Sequence, residues 1–157
     1  MNILIAYDSF FGNTEKVAKE IQKVLQSKNS VILQNVSKTN NTDLKDIDML
    51  IVGSPTRIFK YTPNIKTFLN NIPKDGLKDI KVISFDTRMQ TKETDPKLLS
   101  KLVKRFGYAM EKIQKKLISK GGIYTVEPKG FYVEDTEGPL KGGEKQKIES
   151  WINSIEK

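Results

Sequence analysis

The stretch that decides the fold is MNILIAYDSFFGNTEKVAKEIQKVLQ, residues 1–26. Ile3–Tyr7 is an apolar run of strand length that is rich in isoleucine and leucine. Asn13–Gln26 then carries apolar residues at helical spacing, namely Val17, Ile21, Val24 and Leu25. A polar loop with a single glycine joins the two segments. This order predicts a strand that leads into a helix, which is the first half of a βαβ unit.

The rest of the chain repeats the alternation. Four more short apolar runs have strand length: Val31–Leu33, Met49–Val52, Val82–Phe85 and Ile123–Val126. Helical spacing recurs in three more segments: Pro63–Ile72, Pro96–Lys120 and Glu144–Glu156. Strands separated by helices predict a parallel sheet covered on both faces, so we expect one doubly wound α/β domain of five strands over residues 1–157. The segments Thr87–Asp95 and Glu127–Gly143 are predicted to be long loops, and the second contains the aromatic run Phe131–Val133.

The composition excludes several kinds of chemistry. The 157-residue chain has no cysteine and no histidine, and its 27 Lys+Arg and 19 Asp+Glu give a net charge of +8. Disulfides, Cys/His zinc sites and every mechanism that needs a thiolate or an imidazole are therefore excluded. We predict no catalytic residue and no metal site. Because no segment approaches the about 18 apolar residues of a membrane helix, and the N-terminal run is too short for a signal peptide, we expect a cytoplasmic protein that does not enter a membrane.

The loop Asp8–Thr14 follows the first predicted strand and leads into the first predicted helix. A helix N-terminus offers free N–H groups and a partial positive charge, which suit a phosphate. Ser9 and Thr14 add hydroxyl donors, Asn13 adds an amide, and Gly12 lets the backbone approach a ligand closely. An ordinary capped helix has similar residues, so this loop alone leaves phosphate binding and simple capping equally open.

Two further loops follow the third and fourth predicted strands. Gly53–Thr62 reads GSPTRIFKYT, and Phe85–Arg88 reads FDTR. The first combines aromatic and basic residues without an internal glycine after Gly53. Ile58 and Phe59 both disfavour a positive φ, so we expect the loop to resist a left-handed backbone. Packing of Phe59 and Tyr61 within a long loop, and an Asp86–Arg88 ion pair at the surface, are the simpler structural explanations for these residues.

The order of these three loops along nearly the whole chain resembles the flavodoxin family. In that family the first loop reads Thr/Ser-x-Thr/Ser-Gly-x-Thr and wraps the phosphate of flavin mononucleotide (FMN). Ser9, Gly12 and Thr14 match, Asn13 is a common variant, and Phe11 stands at a usual hydroxyl position. The resemblance implies the strand order 2-1-3-4-5 with the flavin where that order reverses, a geometry for which flavodoxin is the type example.

The resemblance also implies how the other two loops contact FMN. The loop after the third strand would cover one side of the flavin, with Phe59 or Tyr61 stacked on the ring. The loop after the fourth strand would meet the pyrimidine edge, and Arg88 would neutralise the reduced ring or the phosphate. The stacking tyrosine that is usual there is missing, since no tyrosine lies between Phe85 and Tyr108. The residues expected to bind FMN are Ser9, Phe11, Gly12, Asn13, Thr14, Pro55, Thr56, Arg57, Ile58, Phe59, Tyr61, Asp86, Thr87 and Arg88.

The expected function is electron transfer by noncovalently bound FMN, because the flavin carries the redox chemistry and no general acid or base is required. Gly53–Arg57 is also similar to the flavodoxin-like quinone reductases, so an FMN-dependent NAD(P)H:quinone oxidoreductase is the first alternative. The second is an interaction module that keeps the fold and has lost FMN, which the departure at Phe11 favours.

The positive charge is concentrated in one part of the chain. Residues 91–120 hold nine Lys or Arg residues and three acidic residues. Most of the cations share one face of the helix predicted over 97–120, which suits the docking of an acidic redox protein. A solvated lysine face is the simpler explanation. We expect no nucleic-acid binding, because no basic motif interleaved with aromatic residues is present, and we expect a monomer or a dimer.

Overall fold

The sheet is built around the first strand of the chain. This computed structural model describes residues 1–92 and 95–155. Its strands are β1 (Asn2–Tyr7), β2 (Ser30–Asn35), β3 (Met49–Pro55), β4 (Lys81–Met89), β5 (Ile123–Tyr124) and β6 (Lys129–Val133). Its α-helices are α1 (Asn13–Leu25), α2 (Pro63–Asn71), α3 (Lys97–Phe106), α4 (Ala109–Ser119) and α5 (Glu144–Asn153). Short 3₁₀ turns cover Val36–Lys38 and Asn41–Leu44.

The described strands form one six-stranded parallel sheet. Five of them follow the order β2-β1-β3-β4-β5, which confirms the predicted doubly wound fold, and β6 pairs with β4 beside β5. Alternate residues of the central strands face opposite sides of the sheet. Ile3 and Ile5 pack into the core cluster beneath α1 and α5, whereas Leu4 and Ala6 pack into the cluster beneath α2 and α4. The central strands are apolar on both faces because each face is covered by helices.

The fifth strand position differs from the prediction. Ile123–Val126 forms only the two-residue β5, which pairs with the start of β4. The aromatic run that was predicted to lie in a loop belongs to β6, which pairs with the second half of β4. The interruption falls next to Pro128, which has no N–H to donate to a neighbouring strand. The edge position is thus filled by two segments.

The single helix predicted over 96–120 is wrong, because the chain forms α3 and α4 there. Gly107 separates them with φ 64° and ψ −156°, a combination that L-residues with a side chain rarely adopt. Tyr108 is extended, and α4 begins at the next residue. The lysines of 97–120 therefore do not share one helix face. Glu156, the predicted end of the last helix, lies outside the described residues.

Candidate functional site

A cavity of about 660 Å³ opens at the carboxyl ends of β1, β3 and β4, where the strand order reverses. Eleven of the predicted site residues line it: Ser9, Phe11, Asn13, Thr14, Pro55, Thr56, Arg57, Ile58, Phe59, Thr87 and Arg88. Three predicted residues do not. Gly12 lies in the backbone turn beside the cavity, Tyr61 packs against the core cluster under α2, and Asp86 is fully buried in β4.

The end of the cavity next to β1 is formed by the start of α1. Gly12 precedes the helix with φ 84°, and no side chain caps the helix N-terminus. The first backbone bond of the helix runs from the Lys16 N–H to the Gly12 carbonyl, 3.0 Å. The N–H groups of the first turn therefore remain available to a ligand. Thr14 Oγ1 lies 2.7 Å from Thr87 Oγ1, so one hydrogen bond joins this end to β4.

Two wall residues at this end have buried polar atoms without a partner. Ser9 Oγ and Asn13 Oδ1 make no hydrogen bond within the described residues. Asp8 Oδ2 is also buried and unpartnered, although Asp8 does not line the cavity. A buried polar atom left unbonded costs about 1–3 kcal/mol, so such atoms need a partner from outside the chain. The Ser9 hydroxyl and the free N–H groups of α1 suit oxygen atoms of a ligand, whereas Asn13 Oδ1 and Asp8 Oδ2 are acceptors and need donors.

The loop after β3 forms a two-residue hairpin, Arg57–Lys60. The Arg57 N–H donates to the Lys60 carbonyl at 2.9 Å, and the Lys60 N–H donates to the Arg57 carbonyl at 3.0 Å. The two central residues have φ of 46° (Ile58) and 63° (Phe59). Our expectation that this loop would resist a left-handed backbone is therefore wrong. A hairpin with two positive φ angles matches the twist of its flanking strands, and that closure overrides the local preference of Ile and Phe.

Contacts from three other segments hold this hairpin in place. The guanidinium of Arg57 lies over the Phe10 ring, 4.6 Å from its centroid. The Phe59 ring lies 5.9 Å from the Phe106 ring of α3. Lys112 Nζ of α4 donates to the Phe59 carbonyl. The hairpin is thus attached to the first loop and to both helices of segment 97–120.

Asp86 links three elements behind the cavity wall. Its Oδ1 accepts from Arg88 Nε at 2.7 Å and forms an ion pair with Arg88 Nη2 at 2.6 Å. Its Oδ2 accepts from Thr56 Oγ1 at 2.8 Å and from the Met110 N–H at 3.1 Å. Thr56 Oγ1 in turn accepts from the Ala109 N–H at 3.0 Å. The carboxylate therefore ties β4, the end of β3 and the start of α4 together, and its bonds are used within the protein.

Burial raises the pKa of Asp86, against the lowering effect of the Arg88 guanidinium, the Met110 N–H and the Thr56 hydroxyl. The expected surface ion pair between Asp86 and Arg88 is instead buried on both sides. Arg88 reaches the cavity wall with its charge already balanced by this carboxylate. Its expected effect on a bound ring is reduced accordingly.

The sequence analysis missed Tyr108, which lines the cavity next to Arg88. The Arg88 guanidinium carbon lies 3.4 Å from the centroid of the Tyr108 ring, a cation–π contact. Tyr108 reaches the cavity because the chain breaks at Gly107 between α3 and α4. A glycine inside a predicted helix was the available signal, and it marked this break.

Other wall residues come from the segments predicted to be long loops, and from α3. The segment Thr87–Asp95 supplies Met89, Gln90, Thr91 and Lys92. The segment Glu127–Gly143, which includes β6, supplies Val133, Glu134, Asp135, Thr136 and Lys141. Leu99 and Val103 of α3 also line the cavity, although α3 buries no residue in the core. Thus α3 packs on the cavity rather than on the sheet.

In the described part of the chain, no helix is long and apolar enough to cross a membrane. A family model described as a flavodoxin domain matches residues 4–129. The flavodoxin of Buchnera aphidicola subsp. Acyrthosiphon pisum (strain APS) is 44% identical over 52 residues, which are 33% of this chain and 30% of that protein. The matched segment is thus less than a third of that relative's length.

Solved structures resemble the chain over almost its full length. Oxidised flavodoxin 1 from Bacillus cereus has a TM-score of 0.78 at 16% identity, with 99% of this chain and 97% of that chain covered. Oxidised flavodoxin 2 from the same organism has a TM-score of 0.77 at 23% identity, with 99% and 98% covered. Two-electron reduced Megasphaera elsdenii flavodoxin has a TM-score of 0.69 at 19% identity, with 96% and 98% covered. At these identities the similarity establishes the fold.

Proposed function

The chain belongs to the flavodoxin domain family, and from that premise we propose that it is an electron-transfer protein that binds FMN in the cavity at the ends of β1, β3 and β4. The solved flavodoxins share its fold along almost the whole chain. FMN accepts and donates electrons when bound, and the protein supplies its binding site and electrostatic surroundings.

The observation that carries this proposal is the buried, unpartnered Ser9 hydroxyl beside the uncapped N-terminus of α1, at the β1 end of the cavity. A phosphate group fits these donors, because its oxygens accept from a hydroxyl and from the free backbone N–H groups of the first helical turn and are favoured by the helix dipole. The unpartnered atom of Asn13 is Oδ1, which accepts hydrogen bonds and therefore does not hold a phosphate oxygen. The Asp8–Thr14 loop contains no cation, so these neutral donors would hold the phosphate.

The remaining walls suit a planar ring. Pro55–Phe59 supply one wall, and Thr87, Arg88 and Tyr108 supply another. We assign these residues to the flavin ring, with Asp86 as the buried residue that positions Arg88 and Thr56 rather than a direct contact. These residues exclude water from the ring and set the charge around it. Arg57 and Lys92 are exposed cations of the wall, whereas the charge of Arg88 is balanced.

A titration with FMN and with riboflavin tests this proposal, because riboflavin has the same ring and lacks the phosphate. The measurement is quenching of flavin fluorescence by the purified protein after removal of any bound flavin. We expect FMN to bind at least about tenfold more tightly, as the loss of hydrogen bonds to a charged group predicts. Equal affinities would contradict the assignment of the phosphate to Ser9 and the N-terminus of α1, and no binding of either would contradict the function.

Turnover separates the proposed carrier from the alternative reductase. The FMN-loaded protein is mixed with NADPH and a soluble quinone, and absorbance at the NADPH band is followed. The carrier predicts no sustained NADPH oxidation without a separate reductase, whereas the quinone reductase predicts sustained turnover. A cytoplasmic location and a monomeric or dimeric state remain predictions from the sequence, to be tested by cell fractionation and by light scattering.

A further inference from the structure

Large exposed apolar side chains gather around the mouth of the cavity. Phe10, Phe11, Ile58 and Met89 line the cavity and are also exposed to solvent. Leu98 and Phe106 are exposed on α3, the helix that packs on the cavity. We call these six side chains the mouth patch. Single exposed apolar residues are ordinary on a protein surface, but a cluster beside a ligand cavity is typical of an interaction site.

Ile58 shows how the mouth patch is held out to solvent. Its side chain is 86% exposed, although its backbone has a positive φ that a β-branched residue disfavours. The backbone bonds of the Arg57–Lys60 hairpin offset this cost, but the exposed side chain itself gains little from packing in its own fold. Such strain at the edge of a site points to a contact made with another molecule.

Cations surround the mouth patch on two sides. They are Arg57, Lys60, Lys97, Lys101, Lys104 and Arg105, which we call the cationic rim. All six are exposed, neither the hairpin Arg57–Lys60 nor α3 contains an acidic residue, and none of the six forms an ion pair with a described residue. On α3 the four cations follow the spacing i, i+4, i+7, i+8, which places them on one face.

The lysines of α4 are used differently. Lys112 donates to the Phe59 carbonyl, and Lys120, which follows the helix, donates to the Ile72 carbonyl. These two cations stabilise the fold and are less available to a partner. The break at Gly107 therefore divides segment 97–120 into a surface part, α3, and a part that includes structural lysines.

We propose that the mouth patch and the cationic rim form the docking face for a protein redox partner whose own surface is acidic around a small apolar centre. This inference rests on the proposed function, because the face surrounds the cavity assigned to FMN. Charge complementarity argues for an acidic partner, and an apolar centre with a charged rim is the usual anatomy of a protein interface. The three phenylalanines of the mouth patch offer stacking surface to bases as well. A nucleic acid nevertheless fits less well, because four of the six rim cations are lysines, whereas phosphate recognition favours arginine.

The test uses an acidic two-iron ferredoxin as the probe, and its binding is measured by calorimetry at low and at moderate ionic strength. The variant K97E/K101E/K104E reverses the charge of three cations of the cationic rim on α3. K23E/K66E/K115E is the matched control, because it reverses three exposed lysines outside the cavity wall and has the same net charge. We expect the rim variant to bind the probe at least about tenfold more weakly at low ionic strength, and the control to differ from wild type by less than about twofold.

A second pair of variants tests the apolar centre. L98S removes an exposed leucine of the mouth patch, and I32S removes a similarly exposed isoleucine of β2. We expect L98S to weaken binding with an unchanged salt dependence, and I32S to have no effect. The proposal is overturned if wild type does not bind the probe, if both charge variants weaken binding equally, or if a DNA oligonucleotide binds the same rim more tightly. FMN titrations of all variants are separate, so a failure of FMN binding contradicts only the proposed function.

Discussion

At the β1 end of the cavity, Ser9 and Asn13 hold buried polar atoms without partners within the described chain. At the β4 end, by contrast, the buried carboxylate of Asp86 accepts three hydrogen bonds and pairs with the Arg88 guanidinium. Both ends were expected to contact the same ligand. The difference shows that burial alone does not identify a ligand-binding polar residue. A buried polar atom without a partner at the cavity needs a ligand to bond with. A buried polar group whose hydrogen bonds are all made within the protein instead stabilises the wall that the ligand contacts.

The same contrast holds for backbone strain. The β4 end is regular strand up to Met89, whereas the hairpin at the mouth has two consecutive residues with positive φ. The other non-glycine residues with positive φ, Asp46, Asp75 and Asp79, do not line the cavity and are aspartates, which tolerate this backbone better than Ile58 and Phe59 do. The Asp86 network keeps the wall on the β4 side fixed. Variants at the two ends should therefore separate stability from binding.

Asp86→Ala should give the largest effect. It leaves the buried guanidinium of Arg88 without its counter-charge and leaves the Met110 N–H unpaired. We expect the free energy of unfolding of the flavin-free protein to fall by about 3–5 kcal/mol, as for other buried pairs that lose one partner. Urea unfolding followed by circular dichroism measures it. The double variant D86A/R88M should recover part of the loss, and a loss as large as that of D86A would contradict the charge argument.

Ser9→Ala should have the opposite profile. Because Ser9 Oγ has no partner within the described chain, its removal should leave the stability of the flavin-free protein unchanged or slightly increased. FMN affinity should fall about tenfold to a hundredfold, while riboflavin affinity should not change. Fluorescence titration measures both ligands. Ser27→Ala is the control, at an exposed serine beyond the far end of α1 whose hydroxyl donates to the Val24 carbonyl, and it should leave both affinities unchanged.

Tyr108→Leu should have an intermediate effect at the β4 end. The substitution removes the aromatic face under the Arg88 guanidinium, and such a contact is worth about 0.5–2 kcal/mol. We expect a stability loss in that range and weaker binding of both FMN and riboflavin, because Tyr108 also lines the cavity. Tyr108→Phe keeps the ring and should resemble wild type in urea unfolding and in both titrations. If Y108F lost as much stability and affinity as Y108L, the effect would belong to the hydroxyl and not to the ring.

The sequence predicts the alternation of strands and helices and the positions of the site loops because these follow from local patterns, whereas the sheet order was implied by the resemblance to the flavodoxin family. Runs of strand length, helical spacing and the loops at strand ends are all readable along the chain, and eleven of the fourteen expected residues do line the cavity. Direct contact was expected for Asp86, but its partners at Thr56 and Met110 are distant in sequence. Whether a buried side chain already has all its hydrogen-bond partners depends on the tertiary structure, and no local pattern reveals it.

The backbone conformation of the loop after β3 was predicted wrongly for a related reason. The preference of Ile58 for a negative φ is local, whereas the Arg57–Lys60 bridge and the contacts to Phe10, Phe106 and Lys112 are not. Tertiary contacts of modest individual strength together exceed the about 1–2 kcal/mol that a left-handed residue costs. Tyr108 was missed because its place depends on where the helix breaks, and Gly107 alone does not determine the direction of the chain after it.

Ile58→Gly should give the smallest effect and an unusual sign. Glycine adopts the positive φ of this position without strain, although it also increases the conformational entropy of the unfolded chain. The net expectation is a gain in the free energy of unfolding of about 0.5–1 kcal/mol. Ile32→Gly is the matched control, because Ile32 is also exposed but lies in β2 and is not among the residues with positive φ. There glycine should cost about 1 kcal/mol.

The two isoleucines therefore separate exposure from backbone strain, since they share the first and differ in the second. Urea unfolding of the flavin-free variants at one pH measures both. If both substitutions destabilise the protein equally, the hairpin is not strained, and the exposure of Ile58 needs no partner to explain it. If I58G stabilises the protein and also weakens binding of the acidic ferredoxin, the wild-type chain keeps isoleucine at a cost in stability because its side chain contacts that partner.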